Sequence, residues 1–518
     1  MGLRHTVLVG LGLGLVAGPS LAERLPVPPV PPTTKAAKAA TQQDGRPTEV
    51  AQTPQNKAKP TAPTGVPRTL VDALATTYSN QPALLAARAR LRATDETVPI
   101  ALAGWRPTVT LAGTAGYGDG VSRSYSANAA NPFSPTGRGL NTTTQTVRDF
   151  ATAQATVTQN IYTGGRTQAN INRSQNQVKA ERATLLSQEQ SSFLNTVTAY
   201  IGVIQSRQLL ELNTNNEQVL ARQLQATNDR YRVGEITRTD VAQAEAALAG
   251  ARSNRETAYG NLQTARGTFQ QIVGYPAPDD LVEPQPLALP VKSQLEATTL
   301  ASSNNPTVLT AVFNDAAAKD AVDAAFGALM PQVSLQGQSF HQLNNGSRNS
   351  SSTGYQVTAN LSVPVYQGGA EYASVRQARQ QQQQSERAVD DARRTAVQTA
   401  VQAWETLASA RAAAQSTRAQ IRANEIALEG VVREAIVGSR TTLDVLNAQQ
   451  TLLNSRTSLV QNLSQLVTAS YQVAAAIGRL TARDLQLPVP IYDETAYYQA
   501  VRNKWVGLGD AATDQPGR

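Results

Sequence analysis

One short turn is written into this chain twice, and it dictates how the rest can run. Val233-Gly234-Glu235-Ile236-Thr237-Arg238-Thr239-Asp240-Val241 returns 204 residues later as Val437-Gly438-Ser439-Arg440-Thr441-Thr442-Leu443-Asp444-Val445. Each copy follows a long helical stretch and starts another. Gly234 and Gly438 suit the left-handed residue that ends a helix, because glycine has no Cβ to clash. Thr237-x-x-Asp240 and Thr441-x-x-Asp444 then fit a capping box. The threonine oxygen takes an N–H of the new helix, and the acid reaches back to the threonine N–H. The chain therefore encodes two helical hairpins with the same bend.

The surroundings of the turn duplicate as well. Pro306 repeats Pro82 and Pro331 repeats Pro107 at an offset of 224, whereas Tyr366-Gln367-Gly368-Gly369 repeats Tyr162-Thr163-Gly164-Gly165 at 204. The offset drops by 20 inside a pair of strand-like segments, so the first pair is predicted to carry a loop 20 residues longer. Insertions are tolerated where a loop faces solvent, which places that end on the outside of whatever the strands cross. The first repeat spans residues 68–286, the second 287–486, and a tail covers 487–518.

Within each repeat the hydrophobic period changes. Residues 69–104 read as mostly helical, with the main helix starting at Pro82 and stopping before Trp105-Arg106-Pro107. Then Val109, Leu111, Ala115 and Tyr117 alternate with small polar residues, and after a Gly/Ser/Asn/Pro-rich stretch from 118 to about 149 alternation resumes over 151–162. Segments 107–117 and 151–162 each approach the length of a membrane-spanning strand and contain no acidic or basic residue over 108–117 and 151–162. Aromatics mark their ends: Trp105, Tyr117, Phe150 and Tyr162. The second pair repeats this, uncharged, with Phe340, Tyr355 and Tyr366 at its ends. That is the arrangement of aromatic girdles about a lipid-facing band. A half-buried hairpin in a soluble sheet also alternates, and it is the weaker alternative once both pairs are counted.

From Arg166 to about Arg232 no proline interrupts a helical pattern in which Leu186, Phe193, Val197, Tyr200, Ile204, Val219, Leu224 and Tyr231 form a coiled-coil seam. At 1.5 Å per residue such a helix extends roughly 100 Å. A helix of about half that length follows to Gly274. With another from about Ser293 to Leu329, it matches one long helix stacked beside two shorter ones. None of these helices is apolar enough for lipid, so they are expected to project into water.

Composition closes off other classes. There is no cysteine, so no disulfide, thiol chemistry or acylated anchor. The two histidines, His5 and His341, cannot supply a His-based metal site or triad within one chain. The net charge of +8 is spread thinly, with no basic stretch interleaved with aromatics, so no nucleic-acid partner is expected. No acid pair, phosphate loop or metal cluster suggests an enzyme, and no cofactor is implied. Arg4 and His5, the apolar run Thr6–Ala17 and Ser20-Leu21-Ala22 read as a cleaved secretory signal over 1–22, an uncleaved anchor being the lesser alternative because the run is short. Residues 23–67, with ten prolines from 25 to 67, read as an extended linker.

Four strands cannot close a barrel, and an open edge in lipid is forbidden, so the chain must share its barrel with other copies. A secreted, duplicated chain of strand hairpins and long helices with Val-Gly-x-x-Thr-x-x-Asp turns resembles the TolC family of outer membrane channels over residues 68–486. The resemblance implies an α+β membrane protein in which a homotrimer forms one 12-stranded β-barrel among outer membrane lipids, continued by a periplasmic α-helical barrel. It implies docking to a periplasmic adaptor (membrane fusion) protein and an inner-membrane ABC or RND pump, for efflux of drugs or type I secretion of proteins. The prolines of 276–290 and the tail beyond Leu480 would build an equatorial belt. It also assigns roles at the turns. Asp444 matches the acid ringing the periplasmic pore constriction, with Asn447 where the family pattern has a second acid. Arg440 matches a gate latch reaching Thr239 and Asp240 of the first turn. Val233-Gly234 and Val437-Gly438 match the stretches that meet the adaptor. Plainer readings stand beside these: Asp444 as a helix cap worth about 1 kcal/mol, Arg440 as a solvated side chain, and the glycines as helix terminators. A barrel-anchored coiled-coil tether or adhesin without transport is the competing function.

Overall fold

The computed structural model describes residues 67–130, 133, 138–344 and 349–509, all within the compact unit Lys59–Arg518. The expectations for a signal peptide, for the linker up to residue 66 and for the end of the tail lie outside the described residues.

The first repeat opens with α1 (Leu70–Asn80), α2 (Pro82–Asp95) and α3 (Thr97–Leu102), followed by a 3-10 turn over Ala103–Trp105. The break before Pro82 falls where the sequence places it, and a further one at Glu96 separates α3 from α2. Thr69 and Asp72 form a capping box at the start of α1, and Pro82 takes the first turn of α2, where its missing N–H costs nothing. The strands β1 (Thr108–Ala130) and β2 (Arg138–Tyr162) lead through Gly164 and Gly165 into α4 (Arg166–Arg232) and then α5 (Arg238–Val273). The second repeat runs α6 (Gln294–Asn304), α7 (Pro306–Gly327), β3 (Gln332–Leu343), β4 (Ser351–Ser362), α8 (Ala370–Ile436) and α9 (Thr442–Ala476). A last helix, α10 (Ala496–Arg502), lies in the tail. The stretch expected as one helix from Ser293 to Leu329 is broken at Asn305-Pro306, the exact counterpart of the Gln81-Pro82 break.

The duplication is close in length: α4 and α8 are both 67 residues, and α5 and α9 are 36 and 35. α4 packs against α5 toward the turn and against α7 toward the sheet, while α8 packs against α9 and, at its other end, α6 and α7. Asn176 on α4 donates to Asp320 on α7 at 2.7 Å, which ties the two repeats near the sheet. Phe193, Val197, Tyr200 and Ile204 of the predicted seam are buried, with Leu74, Leu84, Phe269 and Val273 around them. Toward the turn the seam thins: Val219 and Tyr231 are exposed, and Leu220 takes over with Leu248 and Ala251. Leu480 at the end of the second repeat and tail residues Leu487, Val489 and Tyr492 complete the larger core, at the middle of α4. There Tyr200 Oη lies 2.8 and 2.7 Å from the carbonyls of Arg68 and Val282, fastening the Pro-rich stretch to α4.

The four strands form one antiparallel sheet in the order β1-β2-β3-β4. Here the structure departs from expectation. β1 and β2 are 23 and 25 residues long, against 12 each for β3 and β4. The extra residues of the first repeat are paired strand rather than loop, with Tyr117 opposite Asp149 and the ladder continuing to Ser126 opposite Leu140. β3 joins β2 only from Ala151 (opposite Leu343) toward Tyr162. Tyr117, Phe150, Phe340 and Tyr355 therefore lie within strands rather than at their ends, while Trp105 and Tyr366 lie just outside them and Tyr162 closes β2. Pro364 falls after β4 and breaks no ladder. Gly164, at φ +64°, turns β2 into α4 against Met330 and the Gly327 carbonyl, where a Cβ would collide with both.

No helix among the described residues is long and apolar enough to cross a membrane. The uncharged part of the sheet shows its apolar residues openly: Val109, Leu111, Val157, Ile161, Val357 and Leu361 are all exposed in the single chain. Polar helices carrying a sheet with an open apolar face fit a strand-built membrane segment rather than a helical one.

Candidate functional site: the two tip turns

The far ends of the helical hairpins are built by one recipe. At the end of α4, Gly234 N–H donates to the Tyr231 carbonyl at 2.9 Å and Glu235 N–H to the Arg230 carbonyl at 3.0 Å. At the end of α8, Gly438 N–H donates to Ala435 at 3.3 Å and Ser439 N–H to Glu434 at 3.0 Å. These paired bonds are a Schellman closure, which needs its glycine left-handed. Gly234 and Gly438 have φ of +81° and +82°. Each is open to solvent around its missing Cβ, so backbone conformation, not crowding, selects glycine.

The caps of the returning helices are equally matched. Thr237 N–H donates to Asp240 Oδ2 at 3.0 Å, and its hydroxyl to the same oxygen at 2.7 Å. Thr441 does the same to Asp444 at 3.0 and 2.9 Å. The Thr441 N–H and then its hydroxyl hold the Asp444 carboxyl below its ordinary range, so Asp444 stays ionised in mild acid. Asn447 is exposed one turn further along α9, on the same helix face, since residues three apart are neighbours.

The charges beside the glycines were not legible as partners. Arg440 Nε donates to Glu434 Oε2 at 2.8 Å, inside its own tip, and Glu434 raises the affinity of Arg440 for its proton. In the first tip Arg230 pairs with Glu235 at 2.6 Å, which holds the Glu235 carboxyl low. Among the described residues no hydrogen bond or ion pair joins Arg440 to Thr239 or Asp240. Thr239 is exposed and Asp240 is engaged by Thr237. The signal for these pairs was a last-turn charge facing an opposite charge five or six residues on, across the turn.

The tips also present apolar side chains. Val233 and Val437 are each 78% exposed. Ile436 and Leu443, which sequence reasoning did not single out, add exposed apolar surface to the second tip only. The second tip lies beside the first hairpin, because Leu446 of α9 packs against the Leu220–Leu248–Ala251 cluster. The site therefore offers two rigid glycine turns, a carboxylate on each returning helix and an exposed valine on each.

Comparison with known proteins agrees with this architecture. Residues 73–275 and 298–479 match the family described as outer membrane efflux protein. The chain is 35% identical over 446 residues to outer membrane efflux protein BepC of Brucella suis, covering 85% of this chain and 92% of that one. It is 25% identical over 323 residues to outer membrane protein TolC of Escherichia coli, covering 58% of this chain and 64% of that one. Its fold is similar to the crystal structure of the outer membrane protein VceC of Vibrio cholerae, with TM-score 0.66 and 19% identity over 79% of this chain and 96% of the other. With two matched segments covering both repeats and a relative aligned nearly end to end, the chain belongs to the outer membrane efflux protein family.

Proposed function

We propose that three copies of this chain close a single barrel of twelve strands, continued by a helical tunnel, and that the assembly exports drugs or proteins when an adaptor and an inner-membrane pump engage its tips. The observation that carries this reading is the four-stranded sheet with an uncharged, apolar band and two strand edges, β1 and β4, that no described strand covers. Unpaired backbone groups in lipid cost several kcal/mol each, so the edges need strands from neighbours. In an alternating antiparallel sheet of four, β4 runs opposite to β1, so β4 of one copy can pair with β1 of the next without breaking the alternation. Tyr117, Phe150, Phe340 and Tyr355 form the outer girdle, and Trp105, Tyr162 and Tyr366 the one beside the helices. Beyond the outer girdle Asp119, Arg123, Arg148 and Asp149 belong to ribbon standing in water.

At the tips, Asp444 and Asn447 line the constriction, and one carboxylate ring rather than two predicts weak block by cations. Val233, Gly234, Val437 and Gly438 receive the adaptor. Arg440 acts as the latch, and to reach Thr239 or Asp240 of another turn it exchanges its resident partner Glu434. Nothing in this mechanism calls for catalysis.

Single-channel conductance of the purified protein in a planar bilayer, beside Arg440→Ala, tests the reading. A small resting conductance that rises in the variant supports a continuous, latched duct. A large conductance that the substitution leaves alone discards the latch, and no conductance in either protein favours a barrel-anchored tether.

A further inference from the structure

The last described residues return to the place where sheet and helices meet. α10 runs along α2 and α3, and Tyr497 Oη donates to Glu96 Oε1 at 2.8 Å. Val501 is buried beneath it. The chain then reaches the foot of β1, where Arg106 Nη1 donates to the Lys504 carbonyl at 2.8 Å. The same guanidinium lies 4.9 Å from the centre of the Trp505 ring. The neighbouring Trp105 carbonyl accepts from Gln159 Nε2 of β2 at 2.8 Å. Trp505 is thereby tied to the level of the helix-side girdle.

Beyond this tie the segment turns apolar and open. Trp505, Val506 and Leu508 are 66%, 86% and 106% exposed, and Ile100 of α3 is 72% exposed. They border one groove of about 590 Å³. Arg502, next in sequence to the groove residue Val501, is exposed, and Lys504 Nζ donates to the Gly509 carbonyl at 2.8 Å, holding the segment in a turn. Glu96, the groove's acid, is engaged by Tyr497. An indole with aliphatic neighbours, flanked by cations and level with an aromatic girdle, is the composition of a surface seated among lipid headgroups.

We propose that residues 502–509 form a lipid-binding collar. Trp505, Val506, Leu508 and Ile100 take up the upper acyl chains of the periplasmic leaflet, and Arg502 and Lys504 hold the phosphate of an anionic phospholipid. Two observations favour lipid over a second copy of the chain: Arg106 ties the patch to the foot of the strand that carries the exposed Val109 and Leu111, and its cations complement phosphate. The chain has no cysteine to acylate, so its grip on that leaflet comes from side chains. The proposal rests on the membrane placement of the sheet, which the test checks separately.

The chain has three tryptophans, and single-tryptophan versions of the full-length protein can report depth. In vesicles of phosphatidylethanolamine and phosphatidylglycerol brominated just below the headgroup, Trp105→Phe/Trp404→Phe reads Trp505, and Trp404→Phe/Trp505→Phe reads Trp105 as a ruler. Both tryptophans are expected to be quenched by bromolipid to a similar degree. A quenched Trp105 with Trp505 open to aqueous acrylamide overturns the collar and keeps the sheet in the membrane. Quenching of neither overturns both. Trp505 shielded from bromolipid and acrylamide alike shows a second copy over the patch and also overturns the proposal. Removing each cation, Arg502→Gln or Lys504→Gln, is expected to weaken retention of phosphatidylglycerol about fivefold. Unchanged retention, or retention that inorganic phosphate abolishes, overturns the headgroup assignment.

Discussion

The two tip turns share a backbone and reverse their charges. Both end a 67-residue helix with the same left-handed glycine closure, and both begin the next helix with the same threonine–aspartate box. In the first tip the cation is Arg230, in the last turn of α4, and the anion is Glu235 in the loop. In the second the repeat-equivalent of Arg230 is Glu434, and the cation, Arg440, is in the loop. A helix C-terminus favours a cation and disfavours an anion. The first tip is content without its loop partner, because Arg230 already answers the exposed carbonyls of α4. The second is less so: Arg433 stands in the last turn of α8 but is paired with Glu429, Glu434 faces carbonyls of its own sign, and Arg440 offsets it. Identical folds thus differ in what a lost loop charge does, and the second tip is the one a single substitution can loosen.

The largest effect is expected at the shared element. Gly438→Val forces a β-branched residue to φ +82°, a conformation costing about 1–3 kcal/mol, and puts a branched side chain where a partner would approach. Export, measured as accumulation of a pump substrate in cells, should be lost while the assembled oligomer survives on native gels. Gly234→Val should do the same. Export that persists in Gly234→Val alone would show that only the second tip is read.

Next in size is the effect of charge. Arg440→Ala is expected to raise resting conductance several-fold, whereas Glu235→Ala, which removes the loop charge of the first tip, should change it little. The reversal Glu434→Arg/Arg440→Glu writes the first tip's polarity into the second but leaves no loop cation to reach Thr239 or Asp240, so conductance should stay raised. A return to the resting level would show that pairing within the tip, and not a reach to another turn, holds it closed.

A pH series sharpens the contrast between tips and belt. Glu189, buried in α4, accepts from Ala482 N–H at 2.6 Å, and burial pushes its carboxyl up to about 7. A raised carboxyl contributes stability fully present below its ordinary value and lost as pH rises through about 7, on the order of 3 kcal/mol. Asp444 has the opposite sign: its stabilisation is present above the ordinary aspartate value and lost as pH falls through its lowered one. The melting temperature of the purified protein should therefore fall between pH 5 and pH 8, and Glu189→Gln should remove part of that fall, the rest belonging to Asp95, whose carboxyl burial also pushes up to about 7. A fall that Glu189→Gln leaves whole would assign it to Asp95 alone.

What could be read in advance follows from where the physics is local. The helix from Arg166 to about Arg232 was legible, because a 3.6-residue period and a terminating glycine are local signals. The caps at Thr237 and Thr441 were legible for the same reason. The outer halves of β1 and β2 were not. Residues 118–149 are rich in Gly, Ser, Thr and Asn, with apolar residues as scattered as Val121 and Tyr125, so their composition reads as loop. The partner of Arg440 was hidden differently. Glu434 and Arg440 are six residues apart across a turn, a spacing that belongs to no helix or strand period and appears only once the glycine has folded the chain back. The collar at Trp505 was hidden for the most general reason, since Arg106 and Lys504 are 398 residues apart in sequence.

The smallest effect asks whether the caps are as symmetric as they look. Thr237→Ala and Thr441→Ala should each cost about 1 kcal/mol, the usual loss for a side-chain cap, read as faster hydrogen exchange in the first turn of α5 or α9. The hydrogen bonds of the two boxes agree within a few tenths of an ångström, so unequal losses cannot come from the boxes. They would have to come from the neighbouring charges. Each aspartate keeps an arginine in its field, Arg230 for Asp240 and Arg440 for Asp444. Arg230 is fixed to a helix and Arg440 to a loop. A greater loss at Thr441 would therefore mean that the looped arginine moves when the cap is gone, and that cap and ion pair of the second tip open together.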